Sequence, residues 1–152
     1  MPPVVSVSRT EHFSAAHRLN SHHLSAEDNA RVFGKCNHVN GHGHNYVLEV
    51  VVRGPVDAET EMVANITDLK RWIKSAVLDV VDHRNLDLDV AYFRTRASTT
   101  ENLAVFIWLR LAQVVPAGLL HQVILSETPK NKVIFTGEGL TDSDYAAVAD
   151  PV

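Results

Sequence analysis

One cysteine, Cys36, stands alone in this chain of 152 residues, so no internal disulfide can form and nothing points to an oxidising compartment. Basic residues are not in excess: 14 Lys and Arg face 18 Asp and Glu, and the formal net charge of -4 argues against a nucleic-acid surface. No run is long and apolar enough to span a bilayer as a helix, so no membrane contact is expected. The opening Met-Pro-Pro-Val-Val-Ser lacks the basic region and apolar core of a secretory signal, and a cytoplasmic protein is expected. With 45% apolar and 21% charged residues, the composition is that of one ordinary globular domain. Histidine is what the chain has in plenty: nine, and their placement matters more than their number.

The stretch Gly34–Asn45 gathers the cysteine, three histidines and three glycines, then runs into the apolar alternation Tyr46–Arg53. His42 and His44 are two apart, so on a strand both side chains point to one face. Tyr46, Leu48, Val50 and Val52 continue that face, which is therefore the buried one. Paired imidazoles at the inner end of a strand are poor core material and good ligands for a borderline-soft cation. A third ligand must come from elsewhere, and His17, at the far end of the first strand, is the best candidate. Three neutral histidines leave one position open, the arrangement of a catalytic site. The bland alternative is a polar Gly-rich turn in which Gly41 and Gly43 serve backbone needs.

Cys36 admits three readings: a fourth ligand closing a structural site, a thiolate near the metal, or a small buried hydrophobe. Asp82-His83 sits where a helix ends. It reads equally as an imidazole gaining from the helix's negative end or as a carboxylate-oriented imidazole tuning a nearby acid or base. Glu127 ends a strand, either simply solvated or as a carboxylate accepting paired N–H donors from a flat heterocycle. His12, His22, His23, His38 and His121 read as surface or loop residues.

The periodicities predict a long strand over Val4–His17, its middle interrupted by Arg9 and Glu11 through solvation or a bulge. Ser25 caps a short helix, with Asp28 in its first turn. A second strand ends at Gly54-Pro55. Ile66, Leu69, Ile73, Ala76, Val77 and Val80 mark one face of a helix opened by Asn65. Leu86–Arg96 reads as a polar connection with scattered apolar anchors. Ser98 and Glu101 form a capping box before a helix that buries Leu103, Phe106, Ile107, Leu111 and Val114 and stops at Pro116 and Gly118. Leu120–Glu127 and Lys132–Thr136 form a closing hairpin. The expected fold is α+β: a four-stranded antiparallel sheet, ββααββ, with two helices on one face. Residues 1–138 form a single domain, and the acidic tail, 139–152, is expected to be flexible. A single open sheet leaves unpaired edges of the kind another subunit often closes.

Phe13–Leu19, Phe33–Tyr46, Val81–Asp87, Ser98–Asn102 and Ser126–Thr128 together resemble the 6-pyruvoyl/6-carboxy-tetrahydropterin synthase family, and within it the animal 6-pyruvoyl type. Five residues separate Cys36 from His42, as in that branch; the 6-carboxy relatives usually have a shorter gap. Val81 stands where the family often has leucine. The resemblance implies the tunnelling fold, in which three subunits join their sheets into a barrel and two rings stack as a homohexamer, with pockets formed between subunits. It implies that His17, His42 and His44 hold zinc, one ion per subunit. Cys36 would be the catalytic base, with Asp82 and His83 as its partners. Glu127 would anchor the pterin, and Thr99, Thr100 and Glu101 would line its pocket. The implied reaction converts 7,8-dihydroneopterin triphosphate into 6-pyruvoyl-tetrahydropterin with release of inorganic triphosphate, in tetrahydrobiopterin synthesis. Mg2+ could accompany the triphosphate, for which Lys35 and Arg31 are the candidate contacts. Two alternatives stand beside it: 6-carboxy-tetrahydropterin synthase activity, and a non-enzymatic domain that zinc stabilises.

Overall fold

The two longest apolar alternations pair with each other along their whole length. In the computed structural model, which describes residues 1–149, β1 (Val4–His17) and β2 (His42–Pro55) run antiparallel in unbroken register from Val4↔Pro55 to His17↔His42. Arg9 and Glu11 therefore sit in a partly solvated stretch rather than a bulge, and their side chains pair. β4 (Leu120–Thr128) adds to β2, and β5 (Asn131–Phe135) adds to β4, both antiparallel. The one register shift along β2 falls between Val51 and Val52, where it pairs with β4.

The expected four-stranded antiparallel sheet needs correction: the sheet has five strands in the order β3-β1-β2-β4-β5 and is mixed. β3 is only Arg84–Asn85, parallel to β1 at Ala15 and Ala16. Two residues carry no periodicity, so no pattern could announce them.

Between β1 and β2 lies α1 (Ala26–Phe33), capped as expected by Ser25, whose hydroxyl accepts from the Asp28 N–H. A 3-10 turn, Gly34–Asn37, follows. α2 (Ile66–Ile73) opens at Asn65, then continues through a π turn (Lys74–Leu78) into α3 (Asp79–Val81). Leu69, Ile73, Ala76 and Val77 are buried as the spacing requires, but Ile66 in the first turn is exposed. The connection after β3 is more ordered than its polarity suggests. α4 (Leu86–Asp89) and a 3-10 turn, Ala91–Arg94, bury Leu86, Val90, Tyr92 and Phe93.

α5 (Thr100–Ala112) begins one residue later than the expected capping box. Thr99, not Ser98, accepts from the Asn102 N–H, and Ser98 is fully buried for another purpose. The buried surface of the helix is wider than the expected face, taking in Trp108 and Leu109, whereas Val114 past its end is exposed. One face of the sheet (Phe13, Ala15, Tyr46, Leu48, Val50, Val52, Val123, Leu125) packs with the helices into one core.

Part of the tail packs on the rest of the chain. Thr141 and Asp144 form a reciprocal capping box for α6 (Asp142–Ala146), Val148 is buried against the core, and its carbonyl accepts from the Gln113 side chain. The last part of the expected tail, 150–152, lies outside the described residues. Removing the Val148 side-chain methyls should cost about 1–2 kcal/mol. Truncating exposed Ile66 should cost less than about 0.5 kcal/mol. Denaturant unfolding of Val148→Ala and Ile66→Ala would check both; equal losses would contradict the placement.

Candidate metal centre

The register of the first two strands sets the centre. His17 is the cross-strand partner of His42, and His44 follows two residues on, so all three rings share the face that packs toward the helices. Their centroids lie 4.7 Å (His17–His42), 5.1 Å (His17–His44) and 4.9 Å (His42–His44) apart. One nitrogen from each can be chosen so that all lie within 4.8 Å of one another. The strand-to-strand approach is close: Gly41 has φ 74°, and a Cβ there would lie 2.8 Å from the His17 carbonyl oxygen. A side chain at position 41 would be strained twice over, by its backbone angle and by that contact.

His17 is fully buried, and its Nδ1 lies 2.7 Å from the Ser98 carbonyl oxygen. A carbonyl can only accept, so Nδ1 carries the proton and Nε2 offers its lone pair to the cluster. That Nε2 and the Nε2 of His44 are buried without a hydrogen-bond partner. Buried polar atoms left in this way are costly unless a group fills the space between them. Nitrogen donors with a backbone-fixed tautomer fit a divalent ion such as zinc. Burial holds His17 below the ordinary 6.5, against the opposing Ser98 bond and with help from the neighbouring imidazoles. Burial likewise lowers His42, with His44 adding to the effect and Glu127 opposing it. Both are thus held in the neutral, ligating form.

Glu127, near the end of β4, reaches the same place from the other side. Its Oε2 is 3.8 Å from His44 Nε2 and accepts a 2.6 Å hydrogen bond from the Thr100 hydroxyl. Thr100, Glu101 and Glu127 line a cleft of about 140 Å³ with Lys132 and Val133. Three of the four residues expected on the pterin side thus lie together, and the fourth, Thr99, caps the helix that presents Thr100 and Glu101. Cys36 is half-buried in the 3-10 turn and stands outside the ligand cluster. Its carbonyl accepts from the Leu19 N–H, tying the turn to the chain two residues past His17.

Asp82 and His83 lie along the other flank of β1. Asp82 Oδ1 accepts from the Ser14 N–H at 3.0 Å and lies 3.0 Å from His83 Nδ1. His83 has a left-handed backbone, φ 62°, and a side chain that is 84% exposed. Its N–H donates to the Ser14 carbonyl. Among the described residues neither one hydrogen bonds to Cys36: the pair is tied to Ser14, whereas the turn bearing Cys36 is tied to Leu19, five residues further along the chain.

Two groups escaped sequence reasoning. The Ser98 carbonyl is backbone and has no side-chain signature. Tyr46 looked like core, but its hydroxyl is buried with no partner, and its ring is 5.6 Å from that of His44 and 6.4 Å from that of His17. Burial, with the nearby Glu127 and Asp87, pushes its pKa above the usual tyrosine range, so it stays a hydroxyl.

Comparisons with known proteins cover the span in which these residues lie. The family model described as 6-pyruvoyl tetrahydropterin synthase matches residues 6–138. The human 6-pyruvoyl tetrahydrobiopterin synthase is 52% identical over 132 residues, 87% of this chain and 91% of the human one. The Drosophila melanogaster protein of that name is 53% identical over 137 residues, 89% of this chain and 81% of the relative. The structure of Caenorhabditis elegans 6-pyruvoyl tetrahydropterin synthase superposes with a TM-score of 0.86 at 48% identity, covering 90% of this chain and 97% of that one.

The lowered histidines make stability depend on pH with a definite sign. Above about 6.5 they are neutral both folded and unfolded, and cost nothing. As pH falls below 6.5 the unfolded chain takes up protons that the folded one refuses, so metal-free protein should lose stability there. Thermal unfolding of metal-free protein across that range checks this. His17→Gln should flatten the dependence, and an unchanged slope would contradict the assignment.

Proposed function

This chain belongs to the 6-pyruvoyl tetrahydropterin synthase family, and on that footing we propose that it converts 7,8-dihydroneopterin triphosphate into 6-pyruvoyl-tetrahydropterin with elimination of inorganic triphosphate. The observation that carries the reading is the cluster of three imidazoles, two with an unpartnered buried Nε2, inside the matched span 6–138. We take residues 1–138 as the synthase domain, zinc as the ion held by His17, His42 and His44, and the cytoplasm as its place of work. Such an ion supplies Lewis acidity, lowering the pKa of the substrate's side-chain hydroxyls and favouring negative charge as protons leave the neighbouring carbons.

The chain's own residues do the rest. Glu127, already accepting from Thr100, holds the amino-pyrimidinone edge of the pterin through paired N–H donors, with Thr99, Thr100 and Glu101 shaping its pocket. That anchor fixes which side-chain carbons face the histidines. Cys36, as thiolate, takes protons from those carbons and returns them to others, so the rearrangement leaves no net oxidation once triphosphate departs. Asp82 orients His83, and the pair tunes the thiol. Because the pair stands apart from Cys36 within one subunit, we place it beside the Cys36 of an adjoining subunit in a homohexamer of two stacked trimeric rings. The exposed strand β5 and the two-residue β3 at the sheet's edges support such closure. Mg2+ would accompany the triphosphate of the substrate.

Cys36→Ala should keep one zinc per subunit while turnover drops by about a thousandfold, within the range for loss of a general base. Metal analysis beside a turnover assay reads both. Loss of zinc with the thiol would favour a domain that the metal merely stabilises, as would unfolding on chelation, where a folded and inactive oligomer is expected. Glu127→Gln should raise KM at least about tenfold, since it removes the charge that accepts the pterin donors. A product mass matching the 6-carboxy compound would redirect the assignment within the family.

A further inference from the structure

We propose that the triphosphate end of the substrate lies in a second cleft, on the opposite flank of the histidine centre from Glu127, held by Arg18 and Arg94; the assignment rests on the reaction proposed above. The cleft has a volume of about 470 Å³, and Arg18, His22, Asn40, Gly41, Asp87 and Arg94 are among its walls. Arg18 follows His17 directly and Gly41 precedes His42, so the cleft begins one residue from two of the three histidines.

The features fall in one sequence across the end of the sheet. Glu127 belongs to β4, His42 and His44 to β2, His17 to β1, and the cleft to the β1, β3 and α4 side. Neighbouring strands are about 4.8 Å apart, so β4 and β1 are separated by about 10 Å. Phe93, a core residue, also lines the cleft, which puts it in the layer toward which the histidines point. A pterin gripped at its amino-pyrimidinone edge by Glu127 carries its side chain past the histidines and its phosphates beyond β1.

The charges suit a polyanion in a protein of net charge -4. Arg18 donates from Nε to the Asn37 carbonyl at 2.8 Å, which fixes the guanidinium and leaves other N–H groups free. Arg94 is exposed and makes no ion pair among the described residues. Asp87, the one acid on these walls, is engaged by the Arg18 backbone N–H at 2.7 Å. Lys35 belongs to the same 3-10 turn, Gly34–Asn37, whose Asn37 carbonyl accepts from Arg18. Arg31, by contrast, is paired with Asp28 on the exposed face of α1.

Calorimetry on the zinc-loaded full chain, with inorganic triphosphate and with dihydroneopterin as separate probes, tests the assignment. Wild type should bind both. Arg94→Ala, a surface change with no folding burden, should weaken inorganic triphosphate at least about tenfold and raise KM for the triphosphate substrate by a similar factor. Arg18→Lys should do the same in milder form, with dihydroneopterin affinity held in both variants. Dihydroneopterin binding with no effect of either variant on inorganic triphosphate would overturn the subsite and leave the proposed reaction standing. Loss of inorganic triphosphate binding with KM unmoved would mark a separate anion site and overturn it too. Failure of wild type to bind dihydroneopterin would bring down the proposed reaction, and the subsite with it.

Discussion

The antiparallel register of β1 on β2 is the constraint on which the site depends. It sets His17 opposite His42 and keeps His44 on their side of the pleat. A slip of one residue would turn the β2 histidines to the far face and take Tyr46, Leu48, Val50 and Val52 out of the core with them. The burial of those four, together with that of Phe13 and Ala15, therefore fixes the metal centre as well as the fold. Site and core are specified by one alternation, so the site needs no separate device to hold two of its three strand-borne rings.

The third ring needs one more partner, and the helix layer provides it. Ser98 lies just before the α5 cap, where its carbonyl can take the His17 Nδ1 proton. The bond fixes both the tautomer and the ring orientation, and frees Nε2 for the centre. α5 contributes again through Thr100, which donates to Glu127. The start of one helix thus braces His17 on the β1 side and Glu127 on the β4 side alike. On the proposed reading, that bracing sets the distance between where the ring is held and where its side chain reacts.

Much of this was legible in the chain itself. The spacing of His42 and His44 and the apolar alternation behind them point to the strand, its buried face and the paired imidazoles, and His17 follows as the end of the neighbouring strand. What escaped shares a physical cause. β3 is two residues long and has no period; the Ser98 carbonyl belongs to the backbone; the π turn in the helix after Asn65 leaves no residue-level mark. Ser98 and Thr99 both suit the role of helix cap in sequence, and the Asn102 N–H donates to the Thr99 hydroxyl. In the tail, small and acidic residues hide a capped turn and one apolar anchor, Val148. That Asp82 and His83 lie beside Ser14 while the turn bearing Cys36 is tied to Leu19 is not encoded in local pattern at all.

The central claim is that three imidazoles meet at one ion, with a place left open beside a lone thiol. X-ray absorption at the zinc edge of the metal-loaded protein tests it most directly, because it distinguishes nitrogen from sulfur in the first coordination sphere. The account predicts three nitrogen donors at about 2.0–2.1 Å plus a light atom, with no sulfur. A sulfur scatterer at about 2.3 Å would place Cys36 on the metal and contradict it.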